Sequence, residues 1–345
     1  MNKANILLIY TGGTIGMKQD PETLALTPFN FEQILAEVPE LKKIVHTIDT
    51  YSFYPPIDSS DIEPSFWQEI AKLIKERYNS YHGFVILHGT DTMSYSASAL
   101  SFMLENLEKP VIFTGSQLPI GMLRTDGKEN LISSIEIAAA RDSDQKAVVP
   151  EVCVYFESQL YRGNRTTKFN AENFRAFRSP NYPCLAEAGI HIKYNIPFIN
   201  YPSLWGKELI IKTAIDTNVT ILKIFPGISE AAIKSTLEIP GLRAIILETY
   251  GSGNAPTKPW FLKLLSNATS NGMIILNITQ CPAGNVDMEA YSTGIMLKKM
   301  GVIGGFDCTT EAAISKLFFL MGHNNNNQTI KELLMKNLRG EISIN

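Results

Sequence analysis

The chain has 345 residues, of which 45% are hydrophobic and 19% charged, so it can bury sizeable cores and is not disordered. At roughly 100–200 residues per domain, this length favours two domains. Lysine and arginine together number 31 against 34 aspartates and glutamates, a net charge of −3. This balance argues against a nucleic-acid-binding protein, because such proteins present a basic face.

The sequence gives no sign of a membrane segment, a targeting signal or a metal site. The first apolar run, residues 4–10, is too short to span a bilayer and lacks the parts of a signal peptide. We therefore expect a cytoplasmic protein that does not bind membranes. The four cysteines form no CxxC pair, and the five histidines form no HxH or HExxH motif. We expect reduced thiols in or near the cores and no bound metal.

Segments typical of strands and helices alternate along the first half of the chain. Strands are predicted at residues 5–10, 83–88, 111–114 and 152–156, and helices at 65–78, 92–106 and 130–140. This alternation is typical of a doubly wound α/β domain, with a mainly parallel sheet and helices on both faces.

The alternation stops near residue 182 and resumes near residue 218, and the segment between them contains three prolines. Beyond it, strands are predicted at 220–225, 244–247 and 273–278, and helices at 229–237, 259–270, 289–300, 310–321 and 329–337. We predict a larger N-terminal α/β domain at residues 1–190, a linker at 191–214 and a smaller C-terminal α/β domain at 215–345.

Four polar clusters lie where doubly wound sheets bind ligands, beyond the strand ends. They are TGGTIG at 11–16, DSSD at 58–61, HGTDT at 88–92 and RGNRTTK at 162–168. The first cluster contains neither a P-loop nor a GxGxxG motif, so a nucleotide site is not indicated. Its glycines either form a tight turn or allow the hydroxyl of Thr14 to reach a ligand at close range.

The second cluster has two interpretations. Asp58, Ser59 and Ser60 are residue types that cap helices and form turns. They are also suited to the two fixed ends of an amino acid, since a carboxylate binds an ammonium while hydroxyls and backbone N–H groups bind a carboxylate.

The third and fourth clusters offer an activated hydroxyl. Asp91 could simply cap the helix that follows, and Lys168 taken alone would be a solvated surface residue. Together with Thr90 they supply what hydroxyl activation needs, which is a hydroxyl beside a carboxylate and a lysine that approaches from elsewhere in the chain.

The four clusters in this order resemble those of the bacterial L-asparaginases, and of their cytoplasmic type I branch in particular. Further similar segments are TGSQ at 114–117, YGSGNAP at 250–256, ITQC at 278–281, GVIGG at 301–305 and NLRGE at 337–341. The resemblance thus covers nearly the whole chain. It implies hydrolysis of L-asparagine to L-aspartate and ammonia, without metal or organic cofactor, by a homodimer or homotetramer.

The resemblance also implies roles for single residues. Thr14 would be the nucleophile that attacks the side-chain amide and forms an acyl-enzyme, and Thr90, Asp91 and Lys168 would form a second polar triad. The substrate-binding residues that it implies are Asp58, Ser59, Ser60, Thr90, Asp91, Ser116 and Asn254. In this set Ser116 lines the amide end, and Asn254 reaches the site of a neighbouring subunit.

Two segments depart from the family pattern. Many relatives carry a tyrosine in the loop after TGGTIG, but residues 17–29 contain none and Leu24 lies near the corresponding place. We expect this loop to be a lid without a tyrosine proton relay. Some relatives have a second, regulatory asparagine site with an arginine just before YGxGN. Here Glu248 stands in that neighbourhood, so the resemblance does not extend to such regulation.

Two alternatives remain at this point. A related amidohydrolase could act on glutamine or on aminoacyl-tRNA amides, although an isoelectric point near 6.0 disfavours tRNA. An inactive amino-acid sensor could share the fold, but the retention of Thr14, Thr90, Asp91 and Lys168 favours an enzyme. Ammonia release from asparagine separates the enzyme from the sensor.

Overall fold

The computed structural model describes residues 3–19, 26–28, 37–44 and 46–344. It divides into two compact units, Met1–Thr213 and Ala214–Asn345. The first unit extends beyond residue 190, through the segment that the sequence suggested as a linker. A strand at Ile192–Tyr194 lies in that segment and pairs with Ala186–Ala188.

A buried ion pair explains why this segment is part of the first unit. Glu151 and Arg162 pair at 2.6 Å with both side chains buried. Glu151 also accepts a hydrogen bond from the Asn200 N–H at 2.7 Å, and Arg162 donates to the Phe198 carbonyl at 2.9 Å. Buried charges are costly unless they are paired and hydrogen-bonded, so these contacts fasten residues 198–200 to the first unit.

The strands of the first unit are short and numerous. They are β1 (Asn5–Tyr10), β2 (Met17–Gln19), β3 (Leu26–Pro28), β4 (Thr47–Ser52), β5 (Gly83–Leu87), β6 (Leu104–Glu105), β7 (Val111–Thr114), β8 (Val152–Phe156), β9 (Gln159–Arg162), β10 (Thr167–Lys168), β11 (Phe177–Arg178), β12 (Ala186–Ala188), β13 (Ile192–Tyr194) and β14 (Ile210–Ile211). Its helices are α1 (Pro64–Arg77), α2 (Met93–Met103) and α3 (Gly127–Ala139).

Within the described part of this unit, eight strands form one sheet in the order β13-β12-β9-β8-β7-β5-β1-β4. The strands from β4 to β8 in this order are parallel to their neighbours, and β9, β12 and β13 join antiparallel. The predicted mainly parallel sheet is confirmed. β5, β7 and β8 are buried along their whole length, which is why each reads as an unbroken apolar run.

Several details of this unit differ from the prediction. The helix predicted at 92–106 ends at Met103, because Leu104 and Glu105 pair with β14 and Asn106 takes a φ of 61°. The strands β4, β9, β12 and β13 of the large sheet were not predicted. In the edge strand β4, four of the six residues of TIDTYS are Thr, Asp or Ser, and the strand is mostly exposed.

The second unit contains a smaller parallel sheet. Its strands run in the order β15 (Val219–Lys223), β16 (Ala244–Thr249), β17 (Ile274–Thr279) and β18 (Ile303–Gly304), each parallel to the next. Its helices are α4 (Glu230–Leu237), α5 (Pro259–Ser270), α6 (Ser292–Lys299), α7 (Thr310–His323) and α8 (Asn327–Leu334). The prediction of a second, smaller α/β domain is confirmed.

Two further observations bear on the sequence analysis. Cys153 and Cys308 are buried, as expected, whereas Cys281 is exposed. In the portion of the chain that the structure describes, no helix has both the length and the apolar character needed to cross a membrane.

Candidate active site

The first polar clusters begin at one edge of the large sheet. Tyr10, the last residue of β1, lies in register with Leu87 of β5, and Leu87 lies in register with Thr114 of β7. Because these strands are parallel, the loops that follow them start side by side. The segments after β1, β5 and β7 therefore meet at the carboxyl edge, as the sequence predicted.

Glycines allow these loops to touch. Gly12 and Gly13 have φ angles of 136° and 89°, which side chains rarely adopt. A Cβ on Gly12 would lie 2.1 Å from the Ile57 carbonyl oxygen, and one on Gly13 would lie 2.5 Å from the Gly89 Cα. The tight-turn interpretation of the first cluster is thus confirmed, and the same glycines allow close packing against Ile57 and Gly89. The reach of the Thr14 hydroxyl to a ligand stays a prediction. Thr14 follows at the start of a short 3-10 turn, half-buried.

The DSSD segment packs against the same loops. A Cβ on Gly89 would lie 2.5 Å from the Ser59 Oγ, and the Thr92 hydroxyl donates to the Ser59 carbonyl at 2.6 Å. Ser59 is consequently buried. The structure therefore brings the loops that contain Thr14, Ser59 and Thr90 into direct contact.

Asp58 is held as a carboxylate by its own turn. Its Oδ1 accepts hydrogen bonds from the Ser60 N–H at 2.9 Å and from the Ser60 hydroxyl at 2.8 Å. These two bonds lower the pKa of Asp58 below its usual value, while slight burial acts in the opposite direction. Asp58 thus caps the 3-10 turn Ser59–Asp61, as the simpler interpretation predicted, and remains an exposed negative charge.

Lys168 joins Thr90 and Asp91. Its Nζ donates to the Thr90 Oγ1 at 3.0 Å and to the Asp91 Oδ1 at 2.5 Å. The Lys168 side chain is 18% exposed and that of Asp91 64% exposed. The lysine lies on β10, which pairs antiparallel with β11. The structure therefore assembles the three residues that the third and fourth clusters supplied.

The direction of the Thr90 hydroxyl follows from its neighbours. An ammonium has only hydrogens to give, so the Thr90 oxygen accepts from Lys168. Its own hydrogen is donated to the Gln117 Oε1 at 3.3 Å. The Thr90 oxygen thus lies between a cation and an amide carbonyl.

A buried histidine holds the backbone just before Thr90. The His88 Nδ1 lies 2.6 Å from the Gly89 carbonyl, and its Nε2 lies 2.9 Å from the Ser96 Oγ. Burial lowers the pKa of His88 to about 4, so the ring is neutral at pH 7. A carbonyl can only accept, which makes Nδ1 the donor and Nε2 the acceptor. The Trp67 indole completes the chain by donating to Ser96 at 2.9 Å.

The segment after β7 is also rigidly held. Ser116 is buried and its hydroxyl donates to the Leu118 carbonyl at 2.5 Å. The Gln117 N–H donates to both oxygens of Asp126, at 3.1 and 3.0 Å. Burial raises the pKa of Asp126, and the backbone N–H groups that it accepts oppose this effect.

Comparison with known proteins identifies the family of the chain. Residues 5–199 match the family model described as "Asparaginase, N-terminal", and residues 218–334 match "Glutaminase/Asparaginase C-terminal domain". The chain belongs to the asparaginase family. The resemblance seen in the four sequence clusters is thereby confirmed.

Relatives in this family cover the chain from end to end. L-asparaginase 1 of Escherichia coli K12 is 45% identical over 346 residues, 99% of each protein. The crystal structure of L-asparaginase I from Vibrio cholerae superposes with a TM-score of 0.89 at 40% identity, covering 99% of this chain and 100% of that one. One component of the glutamyl-tRNA(Gln) amidotransferase of Pyrococcus abyssi is 32% identical over 98% of this chain and 76% of that protein.

Residues of the second unit lie in their own hydrogen-bond networks. The side-chain carbonyl of Asn254 accepts from the Thr293 hydroxyl at 2.6 Å, and its reach into a neighbouring subunit stays a prediction. Glu248, which lies just before the YGxGN stretch, is 3.5 Å from the Lys223 Nζ and accepts from the Thr310 hydroxyl at 3.0 Å.

Two points separate the sequence interpretation from the site. Leu24, which we assigned to the lid, lies outside the described residues. Gln117 was noted only as part of the TGSQ segment, and the amide end was assigned to Ser116. The structure shows that Gln117 contacts Thr90. The only signal in the sequence is that Gln117 directly follows Ser116, which does not identify Thr90 as its partner.

Proposed function

We propose that the protein is an L-asparaginase that hydrolyses L-asparagine to L-aspartate and ammonia. The observation that carries this proposal is the hydrogen-bonded unit of Thr90, Lys168 and Asp91. It lies at the sheet edge where the loops of Thr14 and Asp58 meet. Membership of the asparaginase family over both domains supports the same activity.

In the proposed mechanism the Thr14 hydroxyl is the nucleophile. Its oxygen attacks the side-chain amide carbon of asparagine and forms a tetrahedral intermediate, and its proton passes to the departing nitrogen. Ammonia leaves, and the resulting ester between Thr14 and the aspartyl group is hydrolysed by water. Backbone N–H groups stabilise the oxyanion, and one well-placed donor is worth roughly 3–4 kcal/mol.

The remaining polar residues fix the substrate and move protons. Asp58, whose charge the Ser60 hydroxyl stabilises, supplies a negative charge for the α-ammonium group together with Asp91, and the Ser59 hydroxyl suits the α-carboxylate. Thr90 and Lys168 act as a second hydroxyl–amine unit next to the reacting amide, and Ser116 borders that amide. Side chains, backbone groups and water are enough for each step, so the scheme calls for neither a metal nor an organic cofactor.

We further propose that the active form is a cytoplasmic homodimer or homotetramer. The family resemblance implies that Asn254 reaches the site of a neighbouring subunit, and a single chain would then lack one substrate contact. Analytical ultracentrifugation at assay concentration should show a dimer or larger species. A fully active monomer would contradict this proposal.

Ammonia release tests the proposed activity directly. The wild-type protein mixed with L-asparagine should release ammonia and L-aspartate in equal amounts, and Thr14→Val should abolish the release while aspartate still binds. The inactive sensor predicts aspartate or asparagine binding without ammonia. Release from glutamine at an equal or greater rate would favour the related amidohydrolase.

A further inference from the structure

Gln117 makes contacts on both sides of the Thr90–Lys168 unit. Its Oε1 accepts the Thr90 hydroxyl hydrogen at 3.3 Å. Its Nε2 donates to the carbonyl oxygens of Ala171 and Asn173, each at 3.1 Å. The side-chain amide therefore joins the hydroxyl to a turn only a few residues beyond Lys168.

The orientation of this amide is fixed by chemistry. Two backbone carbonyls can only accept hydrogen bonds, so the NH₂ group of Gln117 must face them. The oxygen then faces Thr90, and because an amide oxygen can only accept, the Thr90 hydroxyl must donate to it while accepting from Lys168. A flipped amide would lose both bonds to the hairpin carbonyls and would deprive the Thr90 hydrogen of its acceptor.

The turn that accepts the hydrogen bonds from Gln117 is the tip of the hairpin formed by β10 and β11, and Lys168 lies on β10. The hairpin pairs Lys168 with Phe177 and closes through the Phe169 N–H, which donates to the Ala176 carbonyl at 2.7 Å. The Gln117 amide holds its tip at the carbonyls of Ala171 and Asn173, and Lys168 in its first strand contacts Thr90. Movement of the tip would therefore shift the ammonium relative to the hydroxyl.

Gln117 is itself anchored to a rigid element. Its N–H donates to both carboxylate oxygens of Asp126, which directly precedes α3. Asn130, one turn into that helix, donates to the Gly115 carbonyl at 3.0 Å and to Asp126 at 3.3 Å. The Gln117 side chain thus connects the hairpin to a backbone segment that is held by Asp126 and Asn130 at the carboxyl end of β7.

We propose that Gln117 is a positioning residue for the reaction, which directs the Thr90 hydroxyl and holds the Lys168 hairpin in register with it. This inference rests on the proposed function. Gln117 acts through Thr90 and Lys168, so its loss should lower turnover much more than substrate affinity. A displacement on the order of 1 Å can cost about 100-fold in rate.

The test compares Gln117→Met with Gln68→Met. Gln68 is also half-buried, and its Nε2 donates to the Thr213 carbonyl at 2.8 Å, so it loses a bond of the same kind away from the site. We expect Gln117→Met to lower kcat about 10- to 100-fold while KM and the Kd of aspartate stay within about threefold. Gln68→Met should keep kcat within about twofold of the wild type. Melting temperatures check folding.

Gln117→Glu adds a pH dependence of kcat that a purely structural role would not produce. An ionised glutamate still accepts from Thr90 but cannot donate to the carbonyls of Ala171 and Asn173, whereas a protonated one can donate once. The ratio of its kcat to that of the wild type should therefore rise severalfold as the pH falls from about 7 to about 5. For Gln117→Met this ratio should stay flat.

The outcomes separate this inference from the proposed function. A wild-type protein that releases no ammonia from asparagine would remove the proposed function and this inference with it. An active wild type with Gln117→Met turnover within twofold would overturn the positioning role alone. Equal losses of kcat and aspartate affinity would also overturn it, because they would make Gln117 a substrate-binding residue.

Discussion

Each unit of the chain holds a short lysine–carboxylate ion pair, and a comparison of the two pairs is instructive. Lys168 and Asp91 lie 2.5 Å apart with side chains 18% and 64% exposed. Lys316 and Glu341 lie 2.6 Å apart with side chains 2% and 0% exposed. The distances are nearly equal, whereas the surroundings differ completely.

The buried pair is satisfied by backbone groups. Lys316 also donates to the carbonyls of Leu334 and Lys336, at 3.0 and 2.6 Å. Glu341 accepts from the N–H groups of Leu338 and Arg339. These hydrogen bonds join Lys316 of α7 and Glu341 to backbone groups of residues 334–339. The pair therefore fastens residues 334–341 to α7.

The pair in the first unit has different partners. Lys168 donates to the hydroxyl of Thr90, and the Asp91 carboxylate is largely open to solvent. A pair that is saturated by backbone groups holds structure together, while a pair joined to a hydroxyl at an accessible sheet edge can act on a ligand. The distance alone does not tell these roles apart, but the remaining partners do.

The largest expected effect is on the exposed pair. Lys168→Met should lower kcat by about 10³-fold or more, because it removes the amine that contacts the Thr90 hydroxyl. The free energy of unfolding should change by only about 1 kcal/mol, since the partner carboxylate stays solvated. Ammonia release and chemical denaturation measure the two quantities. Wild-type turnover in this variant would make Lys168 a structural residue like Lys316.

The buried pair should show the reverse behaviour. Lys316→Met leaves the Glu341 carboxylate buried without a cation, so we expect the free energy of unfolding to fall by about 3–5 kcal/mol. The folded fraction should keep a kcat close to that of the wild type. Denaturation curves together with activity per folded molecule provide the measurement.

A double variant sharpens this second prediction. Lys316→Met combined with Glu341→Leu removes both charges, and replacing a buried pair with apolar residues is often neutral. Stability should therefore recover in part relative to Lys316→Met. If the double variant were no more stable than the single one, the loss would come from packing rather than from an unpaired charge.

The sequence predicted the fold class well where the signal was periodic. The buried runs of β5, β7 and β8 are unbroken because both faces of the sheet are covered, and alternating helices made the parallel arrangement predictable. The edge strand β4 and the segment through residue 213 gave no such signal. The second depends on Glu151 and Arg162, which contact Asn200 and Phe198 over long sequence separations.

The sequence predicted those parts of the site that lie in recognisable motifs. Strand order alone brings the loops of Thr14 and Thr90 to one edge, but the roles of individual residues came from the family resemblance. The position of Gln117 could not be predicted, because it depends on a hairpin tip set by turn geometry at residues 169–176. Hydrogen-bond partners between distant loops leave no periodic trace in a single sequence.

The next effect in size concerns the substrate, and it tests whether the exposed pair acts at one fixed point. If both α-groups are held by the Asp58 segment and Asp91, the reacting carbon has one allowed position. Glutamine places that carbon one methylene further away, a shift of about 1.5 Å, and misplacement on this scale can cost about 100-fold. We expect kcat/KM for asparagine to exceed that for glutamine by about this factor. Equal values would show that the α-groups are not held.

The smallest expected effect concerns Asp58, whose charge depends on Ser60. The two hydrogen bonds from Ser60 lower the pKa of Asp58, so its carboxylate stays ionised to a lower pH than usual. Ser60→Ala removes the hydroxyl bond and keeps the backbone one. The pKa of Asp58 should then rise part of the way to its ordinary value, and affinity for the α-ammonium should be lost earlier as the pH falls.

The pH dependence of kcat/KM between about pH 3 and 6 measures this shift. Ser60→Ala should move the acid limb to higher pH by a fraction of a unit, apart from any constant loss of affinity seen at neutral pH. Asp58→Asn serves as the control, because a residue without a titrating carboxylate should remove that part of the limb altogether. An acid limb at the same pH in Ser60→Ala and the wild type would show that Asp58 does not set it. Such a result would leave the Asp91 carboxylate as the negative charge on which binding of the substrate ammonium depends.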